Sequence, residues 1–148
     1  MATATCQSAS SLFRKHAPNI AYQAFCNHRL FDSGCALNAS VYEEFETVAL
    51  SGSELTHATF GTFADDYFTG GTVEWNNHFR LITNHVGNTI TLHIPLPYGA
   101  GATPTLKAFP GCDKNPETCV NKFNNLVNFL GFPGIPGSAK NPAIIGFK

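Results

Sequence analysis

Charge is what this sequence has least of. Nine of its 148 residues are Lys or Arg and ten are Asp or Glu, so 13% are charged, about half the usual share. A surface so poor in charge associates readily, and much of it is expected to meet other subunits. The formal net charge of −1 supplies no polybasic footprint for nucleic acid and no acidic tail. Long apolar runs are missing too. None approaches the roughly 18 residues of a membrane span, and the opening stretch MATATCQSASSLFRKHAPNI has no apolar core of a signal peptide. Folding in a reducing cytosol is the expectation. There is no repeat, no low-complexity tract and no Gly-rich phosphate loop.

What is present is core material: 43% hydrophobic residues and thirteen Phe, enough for one domain over residues 1–148. Four segments divide it: an N-terminal extension (1–25), a first cysteine segment (26–41), a β-rich core (42–109), and a second cysteine segment with a C-terminal cap (110–148). Residues 42–50 and 54–60 read as strands joined at Ser51-Gly52-Ser53, and Thr72–Trp75 as a third. The clearest hairpin is HFRLITNHVGNTITLHIPL, turning at Gly87-Asn88 between alternating β-branched runs. Residues 105–109 close the set. The expected fold is mainly β, a small antiparallel barrel or sandwich, with short helices carrying the cysteines. Asn38 reads as an N-cap for a short turn from Ala39. Asn115-Pro116-Glu117 reads as the start of a helix running to Phe123, with Val120 and Phe123 on its apolar side.

Five cysteines stand in the chain: Cys6, Cys26, Cys35, Cys112 and Cys119. In a cytosolic chain clustered cysteines point to metal or catalysis before disulfides. Eight residues separate Cys26 from Cys35 and six separate Cys112 from Cys119, wider than the two to four typical of zinc-finger pairs. Spacing alone therefore leaves two readings open, metal ligation and small buried hydrophobes. The two pairs flank the strand region, so a closed barrel would bring them together as a four-ligand staple. Tying Cys26 to Cys112 closes a loop of 86 residues, which removes about 4–5 kcal/mol of unfolded-chain entropy.

The stretches CNHRLFDSGC and GCDKNPETCVNKFNNLVNFLGFPGIPG together resemble the iron–sulfur tail-tip, or baseplate hub, proteins of long-tailed phages and gene transfer agents. That family includes the C-terminal region of lambda-type minor tail protein L. The resemblance runs over nearly all of residues 22–138. Its most specific part is Gly111-Cys112-Asp113-Lys114, Cys119, Lys122-Phe123, Asn125, Asn128-Phe129, Gly131-Phe132-Pro133 and Pro136-Gly137. It implies a [4Fe–4S] cluster held by Cys26, Cys35, Cys112 and Cys119, with Cys6 outside the pattern and zinc as the alternative metal. It also implies a virion protein of the tail tip, three copies in the hub, and distal-tail, hub and tape-measure proteins as partners. Many family members carry a domain before the first cysteine, where about 25 residues stand here. Ala36 follows Cys35 where Gly is common, a change expected to have no effect on ligation.

The remaining candidates read as structural. His28 is expected to pack or hydrogen-bond rather than to be a ligand, since four cysteines already fill the site, and a Cys26–His28 nucleophile would need both on one face of a shaped cleft with an orienting partner. Asp65-Asp66 and Glu43-Glu44, as neighbours on strands, point to opposite faces. His57, His78, His85 and His93 read as isolated strand histidines. Arg29, Lys114 and Lys122 either offset cluster charge or lie solvated on the surface. The GFPGIPG corner is expected to be a rigid cap, with Phe129, Phe132 and Ile135 facing inward. A non-enzymatic structural protein is the expectation, against the alternative of a redox or metal-dependent enzyme.

Overall fold

The structure, a computed structural model, describes residues 22–135, and among these residues lie seven short strands and two short α-helices. In chain order they are α1 (Ala39–Tyr42), β1 (Glu44–Thr47), β2 (Ala49–Ser51), β3 (Glu54–Thr56), β4 (Thr72–Trp75), β5 (His78–Val86), β6 (Thr89–Leu92), β7 (Thr105–Phe109) and α2 (Pro116–Asn121). All strand pairings are antiparallel, in the spatial order β1-β7-β4-β5-β6-β3-β2. The two edge strands are consecutive in sequence. Val48 between them donates to the Pro104 carbonyl (3.0 Å), and Leu50 donates to the Ala102 carbonyl (2.8 Å). The sheet is thereby nearly closed into a barrel.

Its interior holds Val48, Leu55, Phe60, Phe68, Val73, Ile82, Ile90, Leu92, Leu106 and Ala108. Each large apolar side chain buried there contributes about 1.5–3 kcal/mol. Phe60 and Phe68 meet edge to face, with ring centroids 5.5 Å apart, a packing that adds to area burial.

Several strand expectations need correcting. Residues 42–50 are not one strand. Tyr42 ends α1, and the chain breaks between β1 and β2 at Val48, where it passes from one edge of the sheet to the other. The strand expected over 54–60 stops at Thr56, and Ala58–Thr62 forms a 3-10 turn. The His57 ring caps that turn by accepting from the Thr59 amide. The hairpin at Gly87-Asn88 stands, but β6 ends at Leu92. A second two-residue hairpin lies at Asn76-Asn77, both with positive φ (46° and 61°). That conformation suits a primed turn and is tolerated by Asn.

β5 carries a bulge between Ile82 and Asn84. The extra residue re-phases the strand, so Ile82 and His85 both point inward while Thr83 and Asn84 face out. His85 is therefore a fully buried core residue. Its Nε2 meets the Phe60 carbonyl at 3.2 Å, and its Nδ1 has no hydrogen-bond partner among the described residues. Asp65 and Asp66 lie in a loop before β4 rather than on a strand. Asp65 accepts from the Gly87 amide (2.8 Å) and Asp66 from the Thr69 hydroxyl (3.0 Å).

Candidate functional site

The first cysteine segment is organised by one carboxylate. Asp32 accepts the backbone N–H groups of Arg29 (2.8 Å), Gly34 (3.0 Å) and Cys35 (2.6 Å). Those donors, from Cys35 and Arg29 first, hold its carboxyl below the usual range. His28 lies over this loop, with Nδ1 3.6 Å from Asp32 Oδ1. A Cβ on Gly34 would stand 2.0 Å from His28 Cε1, so glycine is what lets the ring close down there. His28 thus packs on Gly34 beside Asp32, and it also lines the cavity that the cysteines share. Ala36 is in the left-handed region with φ at 57°. That conformation gives the glycine expected at this position a backbone reason.

The second segment leaves β7 through an equally tight passage. Gly111 crosses the chain before β4 so closely that a Cβ would stand 1.8 Å from the Thr69 carbonyl oxygen. Cys112 follows directly. Asp113 then caps the approach to α2 by accepting from the Asn115 amide (3.0 Å). Asn115 makes no side-chain cap bond of its own. The helix is shorter than expected, ending at Asn121, and Val120 is exposed while Phe123 is buried. Lys122 turns back over this passage. Its Nζ donates to the Gly111 carbonyl (2.7 Å) and to that of Tyr67. Burial lowers its pKa to about 8, against the pull of Cys112 and Asp113.

Cys26, Cys35, Cys112 and Cys119 line one small cavity, with Leu30, Leu37, Phe123 and Phe129 as apolar walls. All four are free and partly buried. The space between the side chains is about 20 Å³, room for a single water. Backbone bonds tie the two segments together: Cys26 N–H to the Lys114 carbonyl (2.9 Å) and Asn27 N–H to the Leu130 carbonyl (2.8 Å). The Lys114 ammonium donates to the His28 carbonyl. Cys6 lies outside the described residues. Arg29 is not at the cavity; Lys114 is.

The surroundings of the four sulfurs differ. Cys26 Sγ accepts from the Leu130 amide (3.4 Å), and Cys35 Sγ faces the Asn125 amide (3.6 Å). Burial raises the Cys112 thiol, opposed by the Lys114 amide. Burial also raises the Cys119 thiol, reinforced by Cys26, Cys112 and Cys35. Four soft donors, two of them met by N–H groups, and a lining with no carboxylate fit a thiolate-bound group. Yet among the described residues no three His, Cys, Asp or Glu side chains are grouped to hold one metal ion. The thiolates of a single zinc, at about 2.3 Å from the metal, lie only about 3.8 Å from each other.

The C-terminal corner is a partial lid. Phe129 lines the cavity, and Phe132 N–H bonds the Gln23 carbonyl (2.9 Å). Phe132 itself is exposed and packs on the Tyr22 ring instead of facing inward. Residues 136–148, including Pro136-Gly137, lie outside the described residues. A larger open cavity of about 580 Å³ adjoins Lys122 and is bordered by Asp65, Asp66 and Asp113. Asp32 and Asn125, which organise the two sides of the cavity, lie within the stretches that carry the resemblance, but no local pattern marks their bonds.

A solved chain in the virion of a native gene transfer agent particle matches this fold with a TM-score of 0.67 at 23% identity. The match covers 92% of this chain and 52% of that one, so this chain spans about half the length of the chain it matches. No curated protein matches. A family model, described as phage conserved hypothetical protein BR0599, matches residues 66–139. That half of the sequence takes in β4 to α2, Cys112, Cys119 and the motif around Asn125, and the chain belongs to this phage protein family.

Proposed function

We propose that this protein is a structural component of a phage-type tail tip or baseplate hub, stapled by a [4Fe–4S] cluster on Cys26, Cys35, Cys112 and Cys119. The observation that carries the reading is the meeting of four cysteines, from segments on either side of the barrel, at one carboxylate-free cavity. Membership of a phage protein family and the shared fold with a virion chain support the placement. Cys26, Cys35, Cys112 and Cys119 would hold such a cluster through their thiolates. When bound, it supplies four iron–thiolate bonds that crosslink the two segments. The chain's own residues do the rest: Asp32 shapes the loop to Cys35, Gly111 and Lys122 fix the exit to Cys112, and Phe129 screens the cavity.

Assembly as a homotrimer with distal-tail, hub and tape-measure proteins belongs to the same reading. Exposed Phe45, Phe79, Leu81 and Tyr98, on a chain with little charge, are surfaces such neighbours would cover. The test is anaerobic purification followed by metal and sulfide analysis, together with mass spectrometry of purified particles. Iron and acid-labile sulfide in equal amounts, and the chain in stoichiometric quantity in tails, are the expected results. Zinc alone, or a chain missing from particles, overturns the corresponding half.

A further inference from the structure

Asn125 is one of only two buried polar residues among the described ones, 6% exposed, and it follows α2, beyond both cysteines of the second segment. Its side-chain Nδ2 donates to the Cys35 carbonyl at 2.6 Å and faces Cys35 Sγ at 3.6 Å. Its Oδ1 accepts from Asn128 Nδ2 at 2.8 Å, and its backbone N–H donates to the Cys119 carbonyl at 2.9 Å. One residue therefore touches a cysteine of each segment. The Cys35 carbonyl fixes which way the amide points: a carbonyl only accepts, so Nδ2 must face it and Oδ1 is left to accept from Asn128.

We propose that Asn125 is the positioning residue of the four-cysteine site. It anchors Cys35 through carbonyl and sulfur together, holds Cys119 through its backbone, and directs an N–H at the Cys35 sulfur. The Leu130 amide does the same for Cys26 from the same stretch of chain. The two cysteines of the first segment thus take their sulfur hydrogen bonds from the segment after α2. That stretch sets their orientation and the electron density on their sulfurs, since hydrogen bonds to ligand sulfur draw charge from it. The electronic half rests on the cluster reading above; the geometric half does not.

Two measurements separate the halves. In the metal-free, reduced chain, the Asn125 side-chain amide protons are followed by NMR in Cys35→Ala and Cys119→Ala variants. A large shift with Cys35→Ala and a small one with Cys119→Ala are expected; no difference between the variants overturns the geometry. In the iron-loaded chain, Asn125→Asp keeps the acceptor for Asn128 but removes the donor. A lower reduction potential and a shifted sulfur-to-iron charge-transfer band are expected, with Glu54→Gln, on β3, as a control that leaves both unchanged. A loaded Asn125→Asp chain with the parent potential overturns the electronic half. If the parent chain binds no iron, the cluster reading fails and takes the electronic half with it, and the NMR result alone decides the geometric half.

Discussion

The ammonium of Lys122 stands 4.3 Å from the centroid of the Tyr67 ring and caps the carbonyl oxygens of Tyr67 and Gly111. It joins the loop before β4 to the passage that delivers Cys112. The arrangement satisfies a partly buried cation with carbonyl dipoles and a π face, while burial lowers its pKa from 10.5 to about 8.

The sign of the pH effect follows from that shift. Below about pH 8 the lysine is protonated folded and unfolded, and the folded state bears the cost of burying the charge. Between about 8 and 10.5 the unfolded chain holds more protons, so this group makes stability rise with pH. Lys122 still meets solvent, so the gain is about 1–2 kcal/mol. Cys112 and Cys119, with raised thiol values, act in the opposite direction as pH climbs past 9. Denaturant unfolding of the reduced chain against Lys122→Met isolates the term: the rise across this window should be lost in the variant, and an identical pH profile contradicts it.

Replacing Cys112 with Ser removes one corner of the staple. Most of the roughly 4–5 kcal/mol of loop-closure stabilisation should go with it, along with the brown absorbance of an iron–thiolate group. Cys6→Ser, outside the family motif, should stay within about 0.5 kcal/mol of the parent. Thermal melts and visible spectra of the two variants check this, and equal behaviour refutes the staple.

Ala36 occupies a left-handed conformation at φ 57°, which costs an L-residue about 1–2 kcal/mol. Ala36→Gly relieves that strain and gives back part of it in unfolded-state entropy. A net stabilisation of about 0.5–1 kcal/mol is expected in chemical denaturation, with no change in metal content. A destabilised variant would contradict the assigned backbone.

His85 offers a contrast between volume and polarity. Since a carbonyl only accepts, Nε2 must carry the proton toward Phe60, leaving Nδ1 as a bare lone pair in an aromatic core. Phe60's carbonyl retains the Phe63 amide as a second donor. His85→Leu loses a bond worth about 1 kcal/mol and removes an orphan atom costing a similar amount, so it should lie within about 1 kcal/mol of the parent. His85→Ala should lose about 2–4 kcal/mol to the cavity. Equal losses for the two would show that the hydrogen bond, not the volume, matters.

These cases show what the sequence could and could not disclose. The hairpin at Gly87-Asn88 and strands β4 and β7 were legible because local alternation and turn chemistry agree with the final sheet. The break at Val48 was not: an apolar residue continues the alternation, and only barrel closure makes the chain change edges there. His85 read as an ordinary strand histidine because the bulge that turns it inward leaves no mark in composition. At the cysteine cavity, Asn125 stands in the motif with nothing local to show its role. Its bonds to Cys35 span 90 positions, beyond any local pattern. The positive φ at Ala36 is equally silent, since alanine there runs against the propensity that would announce it.

Consecutive edge strands have one more consequence. A sheet whose first and last strands are neighbours in the chain, laced to Ala102 and Pro104, offers little unpaired backbone to another polypeptide. Among the described residues, joining by strand addition therefore finds little edge to extend. Any neighbour must read side chains on its outer faces and loops, where Phe45, Phe79 and Leu81 stand among Lys107 and Glu74 on adjoining strands. Recognition then depends on shape and residue identity at those points. Substitutions at Phe45 or Phe79 can retune it without disturbing the hydrogen-bond ladder beneath.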